Sequence, residues 1–215
     1  MPKPVKFTYE KKRPFRDASF FIIVCEGENR EPDYFRFFDG LSSRVKVVPV
    51  RSNSGSSPRH LIENAIEKEG ELECKPEIDR VWFVVDTDRW GKLLHELRQE
   101  CDQHINWKVA QSNPCFEVWL YFHVADKLPD SGIINQCKDW KNLLPKTIKG
   151  GFNSDYHPVA LDIAVINSKI CYREDGYSPL VGSTQLWQLG EELLPLIVKD
   201  LENLKVTFPR PVMIG

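Results

Sequence analysis

The chain has no run near the ~18 consecutive apolar residues that a membrane span requires. Its opening stretch, MPKPVKFTYEKKRPFRD, carries basic side chains with no apolar segment behind them, so no signal peptide is expected there. It has no CxxC pair. The six cysteines (Cys25, Cys74, Cys101, Cys115, Cys137 and Cys171) stand far apart, mostly within apolar stretches. That pattern predicts reduced, mostly buried thiols in a cytoplasmic protein, and the lack of Cys or His pairs at ligand spacing argues against a zinc site. No excess of positive charge exists: Lys and Arg number 29 and Asp and Glu 31, a formal charge of −2. A polybasic coat protein is therefore excluded, while local nucleic-acid binding depends on where charges cluster. There is no GxxxxGK[ST] string, hence no P-loop for ATP, and neither an internal repeat nor a long low-complexity linker.

What is present is enough apolar material for a real core. Of 215 residues, 41% are hydrophobic and 28% charged, too mixed for a disordered chain. The first half alternates between two patterns. SFFIIVCEG (Ser19 to Gly27) is apolar almost throughout, which predicts a strand buried on both faces. REPDYFRFFDG follows with Tyr34, Phe35 and Phe38 at helical spacing. Val45 to Val50 reads as a second strand, placed at an edge by Pro49, which cannot donate to a ladder. After the polar loop Ser52 to Pro58, Ser57 and Pro58 are a cap and first-turn pair for a helix with Leu61, Ile62, Ala65 and Ile66 on one stripe. Val81 to Val85 predicts a third strand, Leu93 to Cys101 a helix, and Trp107 to Gln111 a fourth strand. Ser112-Asn113-Pro114 and the apolar run CFEVWLYFH come next.

Such alternation implies an α/β fold: a mostly parallel, Rossmann-like sheet flanked by helices. From Asp126 onward the pattern is mainly helical: Gly132 to Leu144, Val159 to Tyr172, and Leu186 to Leu204, the last kinked or split by Pro195. Polar breaks near Lys149 to Pro158 and Glu174 to Ser183 separate these helices. The expected organisation is a basic N-terminal arm (1–18), an α/β core (19–125) and a helical C-terminal extension packed on it (126–215).

In open α/β sheets ligands collect beyond the carboxyl ends of the strands. Glu26-Gly27-Glu28 follows the first strand, Asp86-Thr87-Asp88 the third, and Ser112-Asn113-Pro114 and Glu117 the fourth. Asp86 and Asp88, two apart in extended chain, point to one side. Carboxylates this close repel unless a cation or proton intervenes, and Mg²⁺ suits hard oxygen ligands with positions open to water and phosphate. Acids at strand ends that merely face solvent would look the same.

A strand ending in Glu26-Gly27, followed two elements later by Asp86-x-Asp88-x-x-Gly91, resembles the TOPRIM fold of topoisomerases, primases and OLD-type nucleases. The fuller strings IIVCEGENREPDYFRFF, VVDTD, SNPCFEVWLYFH and STQLWQLGEELL are similar to those of the RloB-like family of bacterial proteins, over nearly the whole chain. One departure is Arg30, where the family commonly has a small polar residue before the second glutamate of its EGExxE string. The resemblance implies a metal-dependent nuclease of prokaryotic restriction or anti-phage defence loci. Carried over by motif, Asp86 and Asp88 would hold Mg²⁺ (or Mn²⁺), and Glu26 would be a further ligand or a proton shuttle. The tyrosine-bearing gate domains of topoisomerases and the template machinery of primases have no room here, which leaves hydrolysis of DNA or RNA.

Other residues carry two readings each. Glu117, in an apolar run, is a supporting acid beside the metal or a first-turn acid favoured by the helix dipole. Asn113 is a helix cap or a phosphate contact, with capping the better single choice. One of Glu28 and Glu31 could reach the metal; both are by default solvent-facing. Arg30, Arg89 and Lys92 could hold nucleic-acid phosphates, as could the run Lys11, Lys12, Arg13 and Arg16, or they only offset the acids. Trp90 could stack on a base. His60, His95, His104, His123 and His157 receive no catalytic role. A second function class stays open: a non-catalytic partner that docks on an ATPase or restriction complex and regulates it. A third is binding or cleavage of a signalling nucleotide. No membrane association is expected, and a homo-oligomer stays open.

Overall fold

The computed structural model describes residues 18–52, 57–87, 93–129 and 134–214. Strand β1 (Ser19–Cys25) leads to helix α1 (Arg30–Arg36), then β2 (Val45–Val50), α2 (Pro58–Glu71), β3 (Arg80–Asp86), α3 (Leu93–Cys101) and β4 (Trp107–Asn113). The second half adds α4 (Glu117–Tyr121), α5 (Cys137–Thr147), a 3-10 turn (His157–Ala160) and α6 (Leu161–Cys171). The short strands β5 (Glu174–Asp175), β6 (Ser178–Pro179) and β7 (Ser183–Thr184) follow, and α7 (Leu186–Leu204) closes the chain.

Five strands form one sheet in the order β2-β1-β3-β4-β7. The first four are parallel, and β7 joins β4 antiparallel. The apolar runs explain why the sheet is covered on both faces. The pleat sends successive side chains to opposite sides. Phe21, Ile23 and Cys25 of β1 and Trp82 and Val84 of β3 enter one core, which α1, α4, α5, α6 and α7 complete. Ile22 and Val24, with Val81, Phe83 and Val85, enter the other, which α2 and α3 cover. Among the described residues no helix is long and apolar enough to cross a membrane.

Local chemistry sets several boundaries. Ser57 Oγ accepts from the His60 N–H at 3.4 Å, with Pro58 in the first turn of α2. Pro49 sits in β2, the edge strand. Gly190 lets α7 approach α6, because a Cβ there would lie 2.3 Å from Val165 Cγ2.

The structure departs from the sequence expectation at identifiable places. Ser112 and Asn113 belong to β4, held by pairing with Asp86 and with β7. Asn113 does not cap α4; Phe116 occupies that position, and the Asn113 side-chain amide donates to Pro179 O at 2.7 Å. The α5 helix starts at Cys137, not near Gly132, and 130–133 lie outside the described residues. Pro195 does not split α7, which runs unbroken from 186 to 204. Arg44 Nη2 donates to Pro195 O at 2.7 Å and ties this stretch of α7 to the entry of β2. The polar stretch 174–183 holds the β5–β6 pair.

The strand order fixes where a ligand belongs. From β1 the chain crosses to β2 on one side, and from β3 it crosses to β4 on the other. The carboxyl ends of β1 and β3 are neighbours and form the point where the winding reverses, the usual crevice of open parallel sheets.

Candidate functional site

Glu26 is the residue after β1. Its N–H donates to Val84 O at 3.0 Å, so the chain stays beside β3 for one residue more. Asp86 ends β3, and its N–H donates to Glu26 Oε2 at 2.9 Å. The Glu26 carboxylate thus rests on the Asp86 backbone, and both acids stand at the reversal. Asp88, Arg89, Lys92 and Trp90 lie outside the described residues, as does the basic run Lys11 to Arg16.

Glu26, Gly27, Glu28, Asn29, Arg30, Glu31, Asp86, Glu117 and Lys141 line one pocket of about 300 Å³. Five carboxylates thus face two cations. Glu26, Glu31 and Glu117 are buried, at 5%, 8% and 3% exposure, so their charges are not simply dispersed in water. Glu28 is exposed. Of the solvent-facing readings, that of Glu31 is the one corrected: α1 begins at Arg30 and turns the Glu31 side chain back over Gly27. A Cβ at Gly27 would lie 2.1 Å from Glu31 Oε2, so a side chain there would displace the carboxylate. Burial raises the Glu31 carboxyl above the usual carboxylate range, and the charge of Glu117 raises it further. Its own N–H, Arg30 and Lys141 pull the other way.

Glu117 opens α4, and its Oε1 lies 3.5 Å from Arg30 Nε. Lys141 comes from α5, one turn beyond Cys137, so a helix of the second half closes the pocket that the strands begin. Asn113 is not among the lining residues, its amide being engaged with Pro179.

The turn after Asp86 rests on a polar network. Thr87 N–H donates to Ser112 O (2.9 Å) and Pro114 O (3.1 Å), and Thr87 Oγ1 donates to Ser112 O at 2.8 Å. Gln111 Nε2 donates to Thr87 Oγ1 at 2.7 Å, while Arg98 Nη2 donates to Gln111 Oε1 and Gln185 Oε1, each at 2.8 Å. Sequence reasoning missed this set, and it missed Lys141. The one available signal was the four-residue spacing of Cys137 and Lys141, which puts both on one helical face.

Behind α1 the chemistry is dry. Tyr34 Oη lies 3.0 Å from His123 Nε2, and His123 Nδ1 lies 3.1 Å from Trp119 O. Burial lowers the His123 pKa to about 3, so the ring is neutral and serves the core. His157 is likewise buried and lowered to about 4.

Fold and pocket together define a doubly wound parallel α/β protein with an acidic cleft at its winding reversal. The chain belongs to the RloB-like family: the family model, described as RloB-like protein, matches residues 21–193. No curated protein and no solved structure matches it significantly.

Proposed function

We propose that the protein is a Mg²⁺-dependent nuclease that hydrolyses phosphodiester bonds of DNA or RNA, acting in the cytoplasm within a prokaryotic defence or restriction-linked system. The observation that carries this reading is that Glu26, just after β1, and Asp86, at the end of β3, line one pocket at the sheet's reversal together with three more carboxylates and two cations. The donor set fits the ion: hard carboxylate oxygens, with Glu31 held above its ordinary range by burial and then by the charge of Glu117. Glu26 and Asp86, with Asp88 by motif, would hold Mg²⁺, or Mn²⁺ in its place. When bound, the ion supplies charge stabilisation on the phosphate and an activated water.

The chain's own groups do the rest. Arg30 and Lys141 line the same pocket and give a phosphodiester its positive contacts. Glu31 is the group suited to hold a proton, because burial and Glu117 favour its neutral form. The Thr87, Gln111 and Arg98 chain positions the turn that carries Asp86.

A digestion panel tests this: tRNA, single-stranded and duplex substrates, with Mg²⁺, Mn²⁺ or chelator, for wild type and Asp86→Ala. Metal-dependent cutting that the variant loses is expected. If no nucleic acid is cut and Mg²⁺ leaves the melting temperature unchanged, the nuclease reading fails. The alternative, a regulator docked on an ATPase or restriction complex, then takes its place. Exposed Tyr177, Leu180 and Val181 around β6 offer that alternative an apolar contact face.

A further inference from the structure

Next to the acidic pocket lies a donor set of different chemistry. Cys115 precedes α4, Glu117 is its first residue and Cys137 is the first residue of α5. Their ligand atoms all lie within 4.8 Å of one another, and among the described residues this is the one group of three or more His, Cys, Asp or Glu side chains so close. Glu117 is divided between two neighbours: Oε1 is 3.5 Å from Arg30 Nε, while Oε2 is 4.0 Å from Cys137 Sγ. The two cysteines are 22 positions apart in sequence, which is why no ligand spacing is visible there. The fold, through α4 and α5, brings them together.

We propose that Cys115, Glu117 and Cys137 form a binding site for a thiophilic divalent cation of the zinc class, with three protein ligands and a fourth position open to water or substrate. Two thiolates with one carboxylate are a donor set that Zn²⁺ accepts and Mg²⁺ does not. Zinc bonds of about 2.3 Å to sulfur and 2.0–2.2 Å to oxygen put tetrahedral donors roughly 3.5–3.8 Å apart, so these groups need to close in by at most about 1.3 Å. A disulfide is the other product two nearby thiols suggest, and the surroundings disfavour it. Cys115 is fully buried, which slows attack by an oxidant in solution. Glu117 beside Cys137 attracts a cation and contributes nothing to an S–S bond. Because Glu117 also lines the acidic pocket, an ion held here draws that carboxylate away from it and links the two sites.

The test is a Co²⁺ titration of the reduced, purified full chain, followed by its thiolate-to-cobalt charge-transfer absorption. One equivalent is expected to produce the band, Zn²⁺ to abolish it, and excess Mg²⁺ to leave it. Cys137→Ser and Cys115→Ser should lose the band, and Glu117→Gln should weaken binding about tenfold or more. Cys74→Ser, Cys171→Ser and Glu26→Gln should keep it. Cys137 is half-buried, so its variant carries the test if Cys115→Ser fails to fold. Absence of a band in wild type, or a band that survives Cys137→Ser, overturns the proposal. Retention in Glu26→Gln keeps this result separate from the fate of the nuclease reading.

Discussion

Both ends of the central strands bury acids, and they treat them oppositely. At the amino end Asp79 is fully buried, and its two oxygens accept backbone N–H groups: Oδ1 from Phe20 at 2.7 Å and Oδ2 from Lys75 at 2.6 Å. That carboxylate ties the start of β1 to the approach of β3, and its charge is answered by fixed dipoles. At the carboxyl end Glu26, Glu31, Asp86 and Glu117 converge on one pocket, where burial and then Glu117 raise the Glu31 carboxyl. Glu26 also accepts a backbone N–H, that of Asp86, but acids gathered this closely still need cations or protons among them. The contrast separates an acid that holds the fold from the acids we propose to hold a metal.

The strongest way to break the contrast is to remove one acid from each end. Asp86→Ala should lower metal-dependent cleavage by about 10³-fold or more, about 4 kcal/mol of barrier, with a melting temperature close to wild type. Asp79→Ala should do the reverse. Two part-buried N–H groups lose their acceptor, so stability should fall by about 1–3 kcal/mol in urea unfolding. Cleavage per folded molecule should be unchanged. A stable Asp79→Ala protein, or an Asp86→Ala protein that unfolds, would erase the distinction.

Much of the carboxyl end was legible before any coordinates, because it depends on what immediately follows each strand. Four apolar runs marked β1 to β4, and Glu26 and Asp86 stood at their ends. Their adjacency needed the strand order β2-β1-β3-β4, which periodicity does not encode. Glu31 was misread as solvent-facing because polarity alone says nothing about a side chain folding back over a glycine. Lys141 reaches the pocket, and Cys137 reaches Glu117 beside it, from α5, tertiary contacts with no local signature. The strand β7 is two residues long, too short for any alternation to show, and Asn113 was read as a cap because Asn-Pro suits one, while the β4–β7 pairing claimed its backbone.

Gly27→Ala sharpens the comparison from the backbone side. The added methyl would meet Glu31 Oε2 at 2.1 Å, so the carboxylate must move or the turn must shift. Overpacking of this kind typically costs about 1–3 kcal/mol. Cleavage should fall with it, since Glu31 leaves its place. Combining Gly27→Ala with Glu31→Ala should recover part of the stability, because the clash partner is gone. A strictly additive double variant would show that the two residues do not touch in solution.

The smallest effect expected is also the most specific to uncompensated charge. The Glu31 carboxyl is raised in the folded chain, so between its ordinary value and its folded value the native state holds a proton that the unfolded state has lost. Stability from this group is fully present below pH 4.5 and is lost as pH rises through the folded value. Glu31→Gln has no such charge to bury. It should melt with wild type near pH 4 and above it at pH 8, by a few degrees at about 2–4 °C per kcal/mol for a chain of this size. Millimolar Mg²⁺ should narrow the gap at pH 8, because the ion stabilises the crowded carboxylates of wild type and has less to offer the amide. A gap equal at both pH values would mean that water, not Glu117, surrounds Glu31, and the carboxyl end would then resemble the amino end after all.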